Sequence, residues 1–254
     1  MFDLSSFGPA DLLPYIAVGF VAQMIDGALG MAFGVISNTL LISLGVPPAA
    51  ASGIVHTIKN FTGAVSAASH IYYKNVDWRL FRRLLIPGLI GGVAGAYALV
   101  ELPERWAKPL VLAYLCGIGI FLLWRGLTKQ HRERSPRIVE PLGLAGGFLD
   151  AAGGGGWGPI VTSNLIVQGG TPRMAVGTVN TVEVFLAAAI TATFMASIGF
   201  SGLGAPALGL LIGGLAAAPF GGYVAARVSA RWMLPLVGIV LTATSLYGLV
   251  QALG

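Results

Sequence analysis

Residues 19–61 of this chain, GFVAQMIDGALGMAFGVISNTLLISLGVPPAAASGIVHTIKNF, recur without a gap as residues 143–185, GLAGGFLDAAGGGGWGPIVTSNLIVQGGTPRMAVGTVNTVEVF. At an offset of 124, Asp26 falls on Asp150, Gly30 on Gly154, Gly34 on Gly158, Pro48 on Pro172 and Thr57 on Thr181. The match resumes at an offset of 126, where Arg105-Trp106 and Pro109-Leu110-Val111 fall on Arg231-Trp232 and Pro235-Leu236-Val237. The chain therefore carries one hydrophobic unit twice. Each copy is broken by glycines beside a single acidic residue, which is the pattern of a secondary transporter.

Composition points the same way. Charged residues make up 10% of the chain and hydrophobic residues 56%, against about 25% charged in a soluble domain. Residues 184–226 and 232–254 contain no Asp, Glu, Lys or Arg, and a spanning helix needs roughly 20 apolar residues. Glycine accounts for 37 of 254 residues, as expected where helices approach closely and backbone breaks at membrane depth. The short alternating segments of a β-barrel are absent. The net charge of +5 comes from basic residues at the ends of apolar runs, where they anchor helices in headgroups, so nucleic acid is not an expected partner. The lone Cys116 allows no disulfide and no thiolate metal site. No Ser-His-Asp set, metal-spaced histidine cluster or nucleotide motif appears, so neither enzyme chemistry nor a cofactor is expected. The first residues lack the basic region of a cleaved signal, so the first span is expected to remain.

The fold expected is an all-α polytopic membrane protein of two inverted repeats, each a glycine-broken helical hairpin followed by three transmembrane helices. Repeat one covers residues 1–124, with an interrupted region at 10–44 and spans at 48–72, 80–100 and 107–124. Repeat two covers 138–254, with an interrupted region at 138–168 and spans at 172–199, 203–226 and 232–253. The linker 125–137 holds Arg125, Lys129, Arg132, Arg134 and Arg137, the densest positive segment, and is expected in the cytoplasm. If each interrupted region is a hairpin, Lys74, Arg79, Arg82, Arg83, Arg173, Arg227 and Arg231 all fall on that side. A hairpin plus three spans crosses an odd number of times, so the halves insert upside down and both termini lie outside the cytoplasm. The hairpin tips then meet near midplane.

Several residues carry the candidate site. The run from Gly153 to Gly156 cannot be an ordinary helix interior, since each glycine costs up to about 1 kcal/mol against alanine. An unwound turn there frees amide hydrogens beside a half-helix N-terminus, which attracts anions. Gly154, Gly155, Gly156 and Trp157 belong to this turn, and Gly30 to its weaker counterpart; close helix packing by small residues is the competing reading. His56 and Lys59 share a helical face, and Lys59 is about eleven residues from either end of its span, too deep to snorkel. Glu183 holds the equivalent place in repeat two. Either the two form a structural ion pair, or Lys59 attracts an anionic substrate while Glu183 carries a proton; the readings are compatible. Asp26 and Asp150 either cap the half-helices after them or titrate during transport. Asn60, Thr57, Asn180 and Thr181 are polar groups that need partners, which each other or a ligand would supply. Trp157 is either a lid or packing. His70 and His131 lie near span ends and are expected at the interface and in solvent.

The ordered set of motifs resembles the sulfite exporter TauE/SafE family. It comprises Gly19-Phe20 before the broken 26–34 segment, Leu44-Gly-Val-Pro-Pro48 with Ala51 to Gly53, Asn75-Val-Asp-Trp78, and Gly153-Gly-Gly-Gly-Trp-Gly-Pro159 with Gly177-Thr178. The likeness covers approximately residues 19–249. It implies export of sulfite or a C2 sulfonate such as sulfoacetate across the bacterial inner membrane. His56-Thr-Ile-Lys59 departs from the plainer stretch usual in the family, so the substrate does not transfer directly. The function expected is secondary export of a small sulfur-containing anion, in contact with the lipid bilayer; a homodimer is compatible but not required. The alternatives are an anion channel or importer on the same scaffold, or a membrane subunit that scaffolds a partner and binds no ligand.

Overall fold

The computed structural model describes residues 9–31, 33–127, 135–199, 204–221, 223 and 230–253. Every regular element among them is a helix. In chain order these are α1 (Pro9–Leu29), α2 (Phe33–Ser43), α3 (Pro48–Tyr72), α4 (Trp78–Glu101), α5 (Glu104–Leu127) and α6 (Glu140–Gly153). A π-helical stretch, Trp157–Thr162, runs into α7 (Ser163–Val167), followed by α8 (Pro172–Ile198), α9 (Ala205–Ala217) with a 3-10 turn Ala218–Phe220, and α10 (Ala230–Leu253). Three described helices contain stretches long and apolar enough to cross a membrane: Leu12–Leu29, Trp78–Glu101 and Pro172–Ile198. The chain is a multi-pass helical membrane protein. Residues 128–134 of the basic linker, with Lys129, His131, Arg132 and Arg134, and residues 224–229, with Arg227, lie outside the described residues.

Local chemistry sets the helix starts. Pro48 and Pro172 open α3 and α8, where the missing amide hydrogen has no intrahelical partner to lose. Asp77 caps α4, its Oδ1 accepting from the amides of Arg79 at 2.9 Å and Leu80 at 3.1 Å. Within the span expected at 203–226, regular α-helix ends at Ala217, tightens into the 3-10 turn around Pro219 and is helical again at Gly221 and Tyr223.

Glycine governs which helices touch. A methyl on Gly91 or Gly95 of α4 would run into the backbone of Leu144 or Phe148 on α6, and one on Gly147 would meet the Gly88 carbonyl. The same contact recurs between α1 and α9, where Gly19 and Gly213 face the backbones of Leu210 and Ile16. Removing the Cβ lets backbones approach, so dispersion contacts accumulate where no hydrophobic driving force between helices exists. Under the repeat correspondence the two contacts exchange: α1 against α9 becomes α6 against α4. α3 packs on α8 and α5 on α10. Both of these pairs run antiparallel, with Gly53 facing Phe194 and Asn60 facing Thr191 in the first, and Leu112 facing Gly248 and Leu123 facing Gly238 in the second.

Candidate functional site

Both interrupted regions are broken helices. α1 ends at Leu29 and α2 restarts at Phe33; Gly30 takes φ 65° between them. α6 ends at Gly153, and Gly154 at φ 68° stops it in the left-handed conformation. A side chain is strained there, so glycine fits both stops. Each preceding aspartate turns back on the restart. The Asp26 Oδ1 accepts from the Phe33 amide at 3.2 Å, and the Asp150 Oδ1 accepts from the amides of Gly156 at 2.8 Å and Trp157 at 3.0 Å. The amides of Gly154 and Gly155 turn back to the Asp150 carbonyl. The unwound turn thus has its Gly156 and Trp157 amides taken by the Asp150 carboxylate, the capping alternative stated for Asp150.

The two turns meet. Asn38 of α2 donates from Nδ2 to the Gly153 carbonyl at 3.2 Å, and Thr162 donates from Oγ1 to the Gly30 carbonyl at 3.2 Å. Asn38 and Thr162 are themselves 124 residues apart, so the contact is reciprocal. Gly34 and Gly158 make the approach feasible: a Cβ on Gly34 would lie 3.2 Å from the Gly155 Cα, and one on Gly158 would sit 2.5 Å from the Met31 Cα.

Beneath this junction lies a buried charge cluster. The Lys59 ammonium of α3 donates to the Glu183 carboxylate of α8, and both side chains are 6% exposed. His56, one turn earlier, lies with Nε2 3.0 Å from the Asp150 Oδ2 and Nδ1 2.7 Å from the Ser52 carbonyl. Both ring nitrogens thus face acceptors. The Ser52 carbonyl can only accept, and Nε2 meets the Asp150 carboxylate. Asp26, Gly34, Lys59, Asp150, Gly155 and Gly156 line a space between the tips that has room for about one water. The site is closed in this conformation.

Other candidates sit elsewhere. Thr57 turns to its own helix, donating to the Gly53 carbonyl at 2.8 Å, and lines a separate groove with Thr191 and Phe194. Asn60 bridges the His56 carbonyl and Thr191 Oγ1, both at 3.0 Å. Thr181 donates to the Gly177 carbonyl at 2.7 Å. Trp157 is fully buried, with Nε1 donating to the Val179 carbonyl at 3.2 Å and its ring against Gly88 and Gly146; it is packed as a wedge between α4, α6 and α8. Asn180 reaches His70, with Nδ2 3.1 Å from the ring Nε2.

Sequence reasoning misplaced His70 and overlooked Asn38, Thr162 and Tyr114. His70 is fully buried rather than interfacial, because Asn75 and Asn180 close over it. Asn38 and Thr162 had a usable signal, a polar residue at the same repeat position in two apolar segments. Tyr114 had none; its ring fills the space a side chain would take at Gly153. Among the described residues no group of three His, Cys, Asp or Glu is placed to hold a metal.

Comparison with known proteins bears on this geometry. The sequence profile of the family described as Sulfite exporter TauE/SafE matches residues 15–248. The "Probable membrane transporter protein YtnM" of Bacillus subtilis (strain 168) is 39% identical over 236 residues, covering 89% of this chain and 79% of that protein. The "Sulfite exporter TauE/SafE family protein 3" of Arabidopsis thaliana is 27% identical over 141 residues, 56% of this chain and 22% of the plant protein. No solved structure matches.

Proposed function

Because the chain belongs to the sulfite exporter TauE/SafE family, a family of membrane transporters and not of enzymes, we propose that it is a secondary exporter of a small sulfur-containing anion, sulfite or a C2 sulfonate such as sulfoacetate. The observation that carries this reading is the Lys59–Glu183 pair buried beside the meeting point of the two glycine turns. An ammonium at that depth, held by one carboxylate, is a site an incoming oxyanion competes for. A proton on Glu183 cancels its hold on Lys59, and the anion then takes its place. Lys59 with His56 supplies the positive charge; Asp26 and Asp150 hold the turns in register and are the further groups able to carry a proton or gate the site. Gly30 and Gly154 to Gly156 give the turns room to part, which substrate entry requires because the closed space fits only about one water.

The proposed architecture is a pair of inverted repeats, residues 1–124 and 138–254, in the bacterial inner membrane with the linker 125–137 in the cytoplasm. It is supported by the antiparallel packing of equivalent helices, α3 on α8 and α5 on α10, and by the exchange of the α1–α9 and α4–α6 contacts. Outward movement of a monovalent anion is driven by an inside-negative potential at about 2.3 kcal/mol per 100 mV.

Counterflow in proteoliposomes tests the reading: labelled sulfite or sulfoacetate inside should exchange for external unlabelled anion, and Lys59→Met should abolish exchange while eluting as the wild type on size exclusion. Unitary currents in place of counterflow would establish a channel, and no exchange with any sulfur anion would leave the scaffold reading.

A further inference from the structure

A cavity of about 280 Å³ opens between the start of α3 and the turn from α4 to α5, lined by Pro47, Pro48, Ala49, Val100, Glu101 and Pro103 among others. It is far roomier than the space between the tips, which holds about one water. Glu101 is the one polar side chain among its lining residues. Since α3 ends at Tyr72 and α4 begins at Trp78, the cavity sits at the face opposite Lys74, Arg79, Arg82 and Arg83. Tyr97, one turn before Glu101, and Trp106, beside Ala107, are both exposed; such rings at the ends of apolar helices mark the depth of lipid headgroups. The sequence from Glu101 to Lys108 carries two acidic and two basic residues, so its charges cancel. They do not cancel by pairing within the chain. The ion pairs among the described residues are Lys59 with Glu183, His56 with Asp150 and Arg83 with Glu140, and Glu101, Arg105 and Lys108 enter none of them. Arg105 lies over the Trp106 ring at 6.0 Å, a contact that leaves the edge of its guanidinium to donate.

We propose that this cavity binds the headgroup of a zwitterionic aminophospholipid, of the phosphatidylethanolamine type, from the leaflet opposite the Lys74–Arg83 face. The lipid ammonium donates to the Glu101 carboxylate, Arg105 and Lys108 donate to its phosphate, and its glycerol and first methylenes lie against Pro47, Pro48 and Leu102. A ligand with both signs and an apolar tail fits the mouth best. An apolar molecule would leave the carboxylate without a partner, and a free anion would meet it as a like charge. A primary ammonium also brings N–H donors; a choline headgroup has none, and a glycerol headgroup brings no cation. Occupancy ties the start of α3, the helix that carries His56 and Lys59, to the α4–α5 turn. The site stands whether or not the chain moves sulfur anions; its place in the outer leaflet follows from the orientation proposed above.

Lipid titration of the delipidated full chain by native mass spectrometry tests it, with phosphatidylethanolamine, phosphatidylcholine and phosphatidylglycerol of one acyl composition as probes. For the first lipid bound, phosphatidylethanolamine should be preferred about fivefold over the other two, the upper range for a partly exposed ion pair. Glu101→Gln should remove that preference while leaving the lipid-free Tm and the size-exclusion profile unchanged, because the residue is exposed. Ala49→Trp, which fills the cavity, should weaken the first binding step for all three lipids. Equal affinities in the wild type, or a preference that survives Glu101→Gln, overturn the proposal. A preference that survives Ala49→Trp puts the headgroup outside the cavity and overturns it as well, and so does a dimer that Ala49→Trp splits, which would give the cavity to a second copy of the chain. None of these readouts uses anion counterflow, so their failure would leave the transport reading standing, and failed counterflow would leave the lipid site standing.

Discussion

The turn after Asp26 and the turn after Asp150 hold the same place in the repeat, and the helices facing them differ. In the first, the carboxylate caps the restart through the Phe33 amide at 3.2 Å. In the second, one carboxylate caps through two amides with Oδ1 and holds His56 with Oδ2 at 3.0 Å. The cause lies on α3 and α8. Position 56 is histidine and reaches across to the turn of the other half, whereas its counterpart Asn180 is engaged by His70. Duplication supplied two equal scaffolds; divergence at one pair of positions set histidine against the Asp150 turn and turned asparagine toward His70.

Disrupting the Asp150 turn gives the largest expected effect. Asp150→Ala removes a cap on two amides and leaves the buried His56 Nε2 without its carboxylate partner, a loss of about 3–5 kcal/mol by analogy with broken buried pairs. Asp26→Ala should cost about 0.5–2 kcal/mol, the range for a lost cap. Thermal unfolding in detergent measures both, and equal Tm losses would erase the asymmetry. Glu183→Leu, which strands the Lys59 ammonium, belongs with the larger group at about 3–5 kcal/mol. Adding Lys59→Met to it should recover most of that stability without recovering anion exchange, so a double variant as unstable as the single would contradict a simple pair.

The glycine stops sharpen the contrast at lower energy. Gly30→Ala and Gly154→Ala both force a side chain into the left-handed region, at about 1–3 kcal/mol each. Gly154→Ala should be the worse because its new Cβ also overlaps the Asn38 carboxamide, whereas at Gly30 the nearest atom is 3.2 Å away; equilibrium unfolding of the two variants gives the order. The smallest effect belongs to the surface. Arg83→Ala breaks the exposed pair with Glu140, at 2.6 Å, and should leave Tm and counterflow unchanged, since solvent screens such pairs.

Much of this was legible in residue order. Periodic hydrophobicity, the proline starts at Pro48 and Pro172 and the glycine breaks after Asp26 and Asp150 are local signals, set by backbone sterics and by the absence of water to pair with peptide groups in lipid. The offset of 124 even named the partners Lys59 and Glu183, because residues equivalent in two copies approach each other where the copies face. Three things were decided only by the tertiary arrangement. The amides of Gly156 and Trp157 were taken by Asp150, since whether a freed amide finds an internal acceptor depends on how the chain turns back. His70 was drawn inside by Asn75 and Asn180, which are distant in sequence or beyond the helix end. Thr62 and Ser66 were left facing Gly214 and Gly221, and no local pattern tells a hydroxyl that bonds its own helix from one that turns toward a neighbouring helix.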